Sequence, residues 1–200
     1  SHSSLYGYQL KTNPLLEELL NEGNLLCYDA DAPALNTIEA FKHILTKFDG
    51  GGNWMTKTTL PHLLRKVGYT TYWISNQFKA GIFESFSELC DINIWTNKYG
   101  NIYTKDLDGV LIDTLKNTIH EEEAYNKAYI VNMKGSHYEF NLRYPEEYKI
   151  FAESDYKKYP EHQRQIRADY DNSILYNDYV VSEIIQLFSD TESIVIYFSD

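Results

Sequence analysis

Short runs of β-forming residues alternate along this chain with segments whose apolar residues recur at helical spacing. The β-rich runs are NLLCYDA, YTTYWIS, INIWTN, KAYIVNM and SIVIYFS, and the helical patterns lie near 14–22, 37–48, 59–67, 106–120 and 170–189. This alternation is typical of an α/β domain whose helices cover both faces of a mainly parallel sheet. We therefore expect an α/β/α sandwich whose single sheet includes strands at roughly 24–29, 70–75, 128–133 and 193–198.

Length and charge narrow the class of protein. The 200 residues are enough for one domain with a real core, and we expect residues 1–200 to belong to one domain. The formal net charge of −11 leaves only short clusters of Lys and Arg, so nucleic acid is not an expected partner. No apolar run approaches the roughly 18 residues that a membrane span needs.

The chain has two cysteines, Cys27 and Cys90. Two are too few for a disulfide scaffold, and they lack the spacing of a metal site. Whether they pair with each other is left open by the sequence.

The segment APALNTIEAFKHIL predicts the start of a helix. Asn36, followed three residues later by Glu39, has the pattern of a capping box, which places Thr37 at the first helical position. A hydroxyl there lies in the positive end of the helix dipole, which suits an anion or a nucleophile. The alternative is that Thr37 merely assists the cap, because Thr is an ordinary residue at a helix start.

Polar residues also follow the predicted strands. Asn76, His137 and Asp200 stand just beyond the carboxyl ends of three of them, the edge at which open α/β sheets bind ligands. Together with Thr37 they would suit a metal-assisted transfer to or from a phosphorus or sulfur centre. Singly, each has another interpretation: Asn76 as a turn former, His137 as an exposed loop residue and Asp200 as a helix cap.

Several segments together resemble the phosphoethanolamine transferases of the bacterial envelope, in the sulfatase and alkaline phosphatase superfamily. The segments are SLYGYQLKTNPLL at 4–16, NTIEAFKHILT at 36–46, TLPHLLRKVGYTTYWISNQ at 59–77, GIFESF at 81–86, GSHYEFNLRYP at 135–145, YDNSILYNDYVVSEII at 170–185 and IYFSD at 196–200. They follow the family's order over nearly the whole chain. The resemblance implies an alkaline phosphatase or sulfatase-like fold.

The resemblance also implies roles for the candidate residues. Thr37 matches the zinc-bound nucleophile that becomes phosphoethanolaminylated, and Asp200 matches a carboxylate that binds the same Zn²⁺. His137 matches a residue that contacts the transferred phosphate group, and Asn76 is expected to line the substrate pocket. Asn132 stands where many members have a His. The family's remaining zinc ligands, a Glu before Ser1 and a His after Asp200, fall outside these 200 residues, so we expect an incomplete zinc site.

The function implied by the resemblance is transfer of phosphoethanolamine from phosphatidylethanolamine to an envelope glycolipid or glycan. The chain would then be a piece of the periplasmic domain of a bacterial inner-membrane protein, with its membrane domain, first strand and C-terminal part absent, and we expect a monomer. One alternative is a sulfatase or phosphodiesterase, although ALNTIEA lacks the Cys/Ser-x-Pro-x-Arg pattern of sulfatases. Another is a catalytically dead scaffold domain of the envelope.

Overall fold

A computed structural model describes residues 2–79, 81–101, 103–120 and 126–199. Within these ranges the helices are α1 (Pro14–Asn21), α2 (Thr37–Leu45), α3 (Leu60–Lys66), α4 (Ile82–Ser87), α5 (Val110–Ile119) and α6 (Glu161–Gln186). The strands are β1 (Thr70–Ser75), β2 (Ile92–Trp95) and β3 (Lys127–Asn132), and five short 3₁₀ turns complete the regular structure. No helix of the described ranges is long and apolar enough to span a membrane.

The three strands form one parallel sheet in the order β2-β1-β3. β1 is central: Ser75, its last residue, stands opposite Trp95 of β2 and Asn132 of β3. Five of its six residues are buried. A parallel strand covered on both faces is expected to be apolar throughout, and TTYWIS approaches this with two aromatic residues and an isoleucine.

Helices cover both faces of the sheet. On one face, Tyr72 and Ile74 pack against Leu111 and Leu115 of α5 and Val180 of α6, all of them buried. On the other face Trp73 packs with a second set of buried residues, Leu45, Trp54, Phe86 and Cys90. Successive residues of a strand point to opposite faces, so Tyr72, Trp73 and Ile74 alternate between two cores. The α/β/α sandwich expected from the sequence is confirmed.

Two of the predicted strands are not formed. The segments at 24–29 and 193–198 have no regular structure, and Leu26, Tyr28, Ile194 and Ile196 are exposed. β propensity makes an extended conformation favourable, but a strand also needs a neighbour that accepts and donates its backbone hydrogen bonds. The described sheet supplies no neighbour to either segment, so the prediction of strands there is wrong for this structure.

Helix α6 organises much of the chain. It begins at Glu161, nine residues before the predicted start near 170, and the segment before it forms short 3₁₀ turns that contact it. Its buried face is unusually polar and includes Asp171, Asn172 and Asp178. Asn172 binds the backbone of Ile150 and Phe151 at 2.8–2.9 Å, so these polar residues fasten loops to the helix.

The N-terminal segment docks on the same helix. The buried Asp171 carboxylate accepts hydrogen bonds from the hydroxyls of Tyr8 (2.7 Å) and Tyr156, and it pairs with His2 at 2.6 Å. Burial and the hydrogen bond to Asp171 raise the pKa of Tyr8 above its ordinary value. The phenol therefore stays protonated and keeps its role as donor at neutral pH.

The two cysteines are separate. Cys27 is exposed, Cys90 is buried in the core behind β1, and neither forms a disulfide. The question of pairing that the sequence left open is thereby answered.

Candidate active site

Asn76 and His137 follow neighbouring parallel strands and therefore leave the sheet at the same edge. Asn76 directly follows β1, and its backbone N–H donates to the carbonyl of Asn132, the last residue of β3, at 3.0 Å. Gln77 adds a second bridge, from Nε2 to the Met133 carbonyl at 3.0 Å. The loop Gly135-Ser136-His137 begins three residues beyond β3, so this edge matches the expected location of a ligand site.

The Asn76 side chain is occupied by the protein itself. It is 1% exposed, and its Nδ2 donates to the Asp108 carboxylate at 2.8 Å and to the Asp106 carbonyl at 3.1 Å. Its Oδ1 accepts from the Thr96 hydroxyl at 2.7 Å. Both amide hydrogens and the carbonyl oxygen are therefore used in holding loops together, and contact of Asn76 with a substrate stays a prediction.

The residue that links this edge together is Asp108, which lies just before α5. One carboxylate oxygen accepts from Asn76 and from the backbone N–H of Lys134 (3.0 Å), and the other accepts from the backbone N–H of Gly135 (2.7 Å). Burial raises the pKa of Asp108, while the hydrogen bonds from Asn76, Lys134 and Gly135 act in the opposite direction. Donors to the ionised form are what make a buried carboxylate tolerable.

Lys134 carries the balancing charge. Its ammonium group is almost fully buried and lies 3.1 Å from the Asp106 carboxylate. Burial alone would raise the pKa of Asp106, but hydrogen bonds from Thr104 and Lys134 hold it below its ordinary value. The ion pair therefore fixes the segment before α5 to the segment after β3.

The sequence pattern does not distinguish Asp106, Asp108 and Lys134 as members of a site. The helical pattern near 106–120 absorbs Asp106 and Asp108 as ordinary acidic residues of a first turn, and Lys134 stands next to a strand like many surface lysines. The available signal was an Asp-Gly pair before an apolar helix. That pair alone does not indicate which distant backbone the carboxylate binds.

His137 is exposed, and the loop that carries it is held after His137 as well as before it. Phe140, three residues later, packs on Tyr170 of α6 with ring centroids 4.7 Å apart. Glu139 between them adopts a left-handed conformation (φ 65°) and its carbonyl accepts from the N–H of Leu142 at 2.8 Å. The imidazole is thus open to solvent on a loop whose two ends are held.

The position of the cap and of Thr37 at the start of α2 is as predicted, but only the Asn36 half of the predicted capping box is formed. Asn36 is the cap, its Oδ1 accepting the Glu39 backbone N–H at 3.0 Å, and Thr37 is the first helical residue. The Glu39 side chain pairs with Lys42 at 2.5 Å. One turn later, Phe41 contacts Trp73 edge-to-face with centroids 5.9 Å apart, which ties α2 to β1. The Thr37 side chain itself is half-buried.

The metal site predicted from the resemblance is only partly within the described ranges. Asp200 lies outside them, so its position relative to Thr37 is not described. Among the described residues, no group of three or more His, Cys, Asp or Glu side chains is placed to hold a metal ion. Thr37 thus offers one hydroxyl oxygen at a helix N-terminus, and it fits a zinc site only as one member of a larger ligand set.

Known proteins resemble this chain in sequence and in structure. A family model described as Sulfatase matches residues 1–200. The phosphoethanolamine transferase EptC of Escherichia coli O18:K1:H7 is 29% identical over 211 residues, which cover 98% of this chain and 36% of that protein. The crystal structure of the C-terminal periplasmic domain of EptC from Escherichia coli has a TM-score of 0.80 at 27% identity, covering 94% of this chain and 55% of that one.

A zinc complex of the same EptC domain has a TM-score of 0.77 at 26% identity, again over 94% of this chain and 55% of that chain. The chain therefore spans little more than a third of the curated relative and about half of the solved domain. The match of the family model over the whole chain, together with these superpositions, shows that the chain belongs to the sulfatase family.

Proposed function

We propose that this chain is part of the catalytic domain of a phosphoethanolamine transferase, which moves phosphoethanolamine from phosphatidylethanolamine to an envelope glycolipid or glycan. The observation that carries the proposal is the division of roles at the start of α2. Asn36 caps the helix, so the Thr37 hydroxyl at the positive helix end is available for chemistry. The similarity to EptC over nearly the whole chain supports the choice of reaction.

The proposed reaction has two balanced steps. The Thr37 oxygen attacks the donor phosphorus, the bond from phosphorus to the glycerol oxygen breaks, and diacylglycerol leaves with the proton that Thr37 gave up. An acceptor hydroxyl then attacks the same phosphorus and the bond from phosphorus to the Thr37 oxygen breaks. The proton that the acceptor gives up returns to that oxygen and restores the threonine hydroxyl. The covalent adduct divides one difficult transfer into two easier ones.

In this proposal His137 contacts the transferred phosphate group. It is exposed, it follows the strand next to β1, and its loop is held by Asp108 at one end and by the contact between Phe140 and Tyr170 at the other. An imidazole there can donate a hydrogen bond to a phosphoryl oxygen or pass a proton to the leaving oxygen. A loop held at both ends lowers the entropy lost when that contact forms.

We infer that zinc serves the same site. Thr37 and Asp200 would hold the ion as members of a larger ligand set. The EptC domain solved as a complex with Zn supports zinc as the metal. When bound, zinc would supply positive charge that favours loss of the hydroxyl proton and stabilises negative charge at the reacting phosphorus. We also propose a periplasmic location, on the basis of the two superposed domains.

The experiment uses the protein that carries this chain, incubated with phosphatidylethanolamine vesicles and analysed by peptide mass spectrometry. A phosphoethanolamine adduct on the peptide that contains Thr37 is expected, and Thr37→Ala should lose both the adduct and transfer. Thr58→Ala is the control: it removes an exposed threonine outside the proposed site, and this variant should retain both the adduct and transfer. An adduct on another residue, or transfer by Thr37→Ala at the wild-type rate, would overturn the proposal; release of inorganic sulfate from an aryl sulfate would favour the sulfatase alternative.

A further inference from the structure

Asp108 binds two consecutive backbone amides of the loop that carries His137. Its carboxylate accepts the N–H of Lys134 at 3.0 Å and of Gly135 at 2.7 Å, so both peptide planes just before Ser136-His137 are oriented by one side chain. Hydrogen bonds from N–H groups to a carboxylate are short and stronger than those between neutral groups. The loop therefore leaves β3 in a direction set by a residue 27 positions earlier.

The backbone turns sharply at Gly135, the residue whose N–H binds Asp108. Gly135 has φ 55°, the left-handed region in which the chain turns sharply. A Cβ at this position would meet nothing closer than 3.9 Å, so the positive φ, and not crowding, is what favours glycine here. The Asp108 carboxylate accepts the Gly135 N–H at this turn, so it orients the peptide from which the chain continues to His137.

The Asp108 carboxylate is part of a buried hydrogen-bonded network. The carboxylate is also bound by Asn76 Nδ2 at 2.8 Å, and Asn76 is itself bound to the Asp106 carbonyl and the Thr96 hydroxyl. Asp108 is 6% exposed and Asn76 is 1% exposed. A buried and fully bonded network of this kind holds its members in one arrangement.

We propose that Asp108 is a positioning residue for the transfer reaction: it acts through His137 by holding the Lys134-Gly135 turn, with Asn76 orienting its carboxylate. This inference rests on the proposed function for its catalytic consequence. The positional effect on His137 is independent of which reaction the protein performs.

Asp108→Asn is the informative variant because it preserves side-chain size. In this variant an NH₂ group replaces one carboxylate oxygen and faces an N–H donor. At least one of the two hydrogen bonds from the backbone N–H groups of Lys134 and Gly135 is therefore lost. Asp113→Asn is the matched control: it removes the same charge five residues later, from an exposed position on α5. Both variants are made in the protein that carries this chain.

The first measurement is steady-state transfer with the donor concentration varied. Asp108→Asn should lower kcat by about 10²-fold, the effect of misplacing a reacting group by about 1 Å, while KM for the donor stays nearly constant. Asp113→Asn should leave both unchanged. A purely structural role predicts a lower amount of folded enzyme with unchanged kcat per folded molecule, and that result would overturn the proposal.

The second measurement needs no activity. The His137 ring signals are followed by NMR, with His137→Gln to assign them, together with hydrogen exchange of residues 134–139. Asp108→Asn should shift the His137 signals and accelerate exchange at Gly135 by about tenfold or more, and Asp113→Asn should do neither. If the wild-type protein shows no transfer, the proposed function fails and the NMR measurement tests the positioning role by itself. Shifted His137 signals in Asp108→Asn then support that role, and unshifted signals refute it.

Discussion

The Asp178 carboxylate of α6 lies 2.9 Å from the backbone nitrogen of Leu15, a residue 163 positions earlier at the start of α1. Its second oxygen accepts from the N–H of Leu16 at 3.1 Å. Asn13, the residue at the N-cap position of α1, makes no side-chain hydrogen bond to that helix. The first turn of α1 is thus capped by a carboxylate from another helix.

We expect Asp178→Ala to destabilise the protein by about 1–2 kcal/mol, because two N–H groups of a helix start lose their acceptor. Urea unfolding followed by circular dichroism measures this effect. Asp190→Asn, an exposed change beyond the end of α6, serves as the control and should lie within about 0.5 kcal/mol of wild type. An Asp178→Ala midpoint equal to that of wild type would contradict the capping role.

Asp178 should also make stability depend on pH. Burial raises the pKa of its carboxyl to about 6, above the ordinary value of 3.8, although its hydrogen bonds to Leu15 and Leu16 act in the opposite direction. The folded protein therefore binds the proton more tightly than the unfolded chain. The part of the stabilisation that comes from the bound proton is complete below pH 3.8 and is lost as the pH rises through about 6, whereas the hydrogen bonds to Leu15 and Leu16 remain. The free energy of unfolding of wild type relative to Asp178→Asn should fall across that window; a constant difference would refute the shift.

Asn36 and Thr37 should separate stability from chemistry. Asn36→Ala removes the cap of α2 and should destabilise the protein by about 1 kcal/mol, with a smaller effect on transfer. Thr37→Ala should abolish transfer at nearly unchanged stability, and Thr37→Ser should retain part of the activity because it keeps a hydroxyl. Thermal unfolding and transfer assays on the three variants test this pattern, and an equal loss of stability in Asn36→Ala and Thr37→Ala would argue against it.

Gly109 and Tyr176 should be energetically coupled. The Gly109 N–H donates to the Tyr176 hydroxyl at 3.0 Å, and a Cβ at Gly109 would lie only 2.5 Å from that oxygen. Gly109→Ala should therefore force the buried Tyr176 ring to move, whereas in a Tyr176→Phe background the clash is gone. Urea unfolding of the two single variants and the double variant should show a coupling of about 0.5–3 kcal/mol; additive effects would contradict the close approach.

The two thiols should react at different rates. Cys27 is exposed, and Cys90 is buried with its pKa raised to about 12 by burial and by the Asp91 carboxylate. A maleimide should label Cys27 in the folded protein, and Cys90 only after denaturation, because the thiolate is the nucleophile. Cys27→Ser should remove the fast phase. Two fast-reacting thiols in the folded protein would show that the core behind β1 opens readily.

Local features of the amino-acid sequence were sufficient for the class of fold and for parts of the site. A cap such as Asn36 acts within three residues of its helix, so the start of α2 could be predicted. Parallel strands end at one edge, so Asn76 and His137 could be assigned to a common edge before any contact was known. The runs YTTYWIS, INIWTN and KAYIVNM became strands because each finds a hydrogen-bonding neighbour in the sheet.

Tertiary structure alone decided which local tendencies were realised and which polar groups act together. The segments at 24–29 and 193–198 are partly apolar, as β1 is, but they have no neighbouring strand in the described sheet, so their backbone forms no ladder. Asp108 and Gly135 are 27 residues apart, and nothing in the spacing of their neighbours encodes the 2.7 Å contact between them. Helix capping and side-chain alternation are short-range effects that a sequence displays directly, whereas burial and the choice of a distant hydrogen-bond partner exist only after the layers have packed.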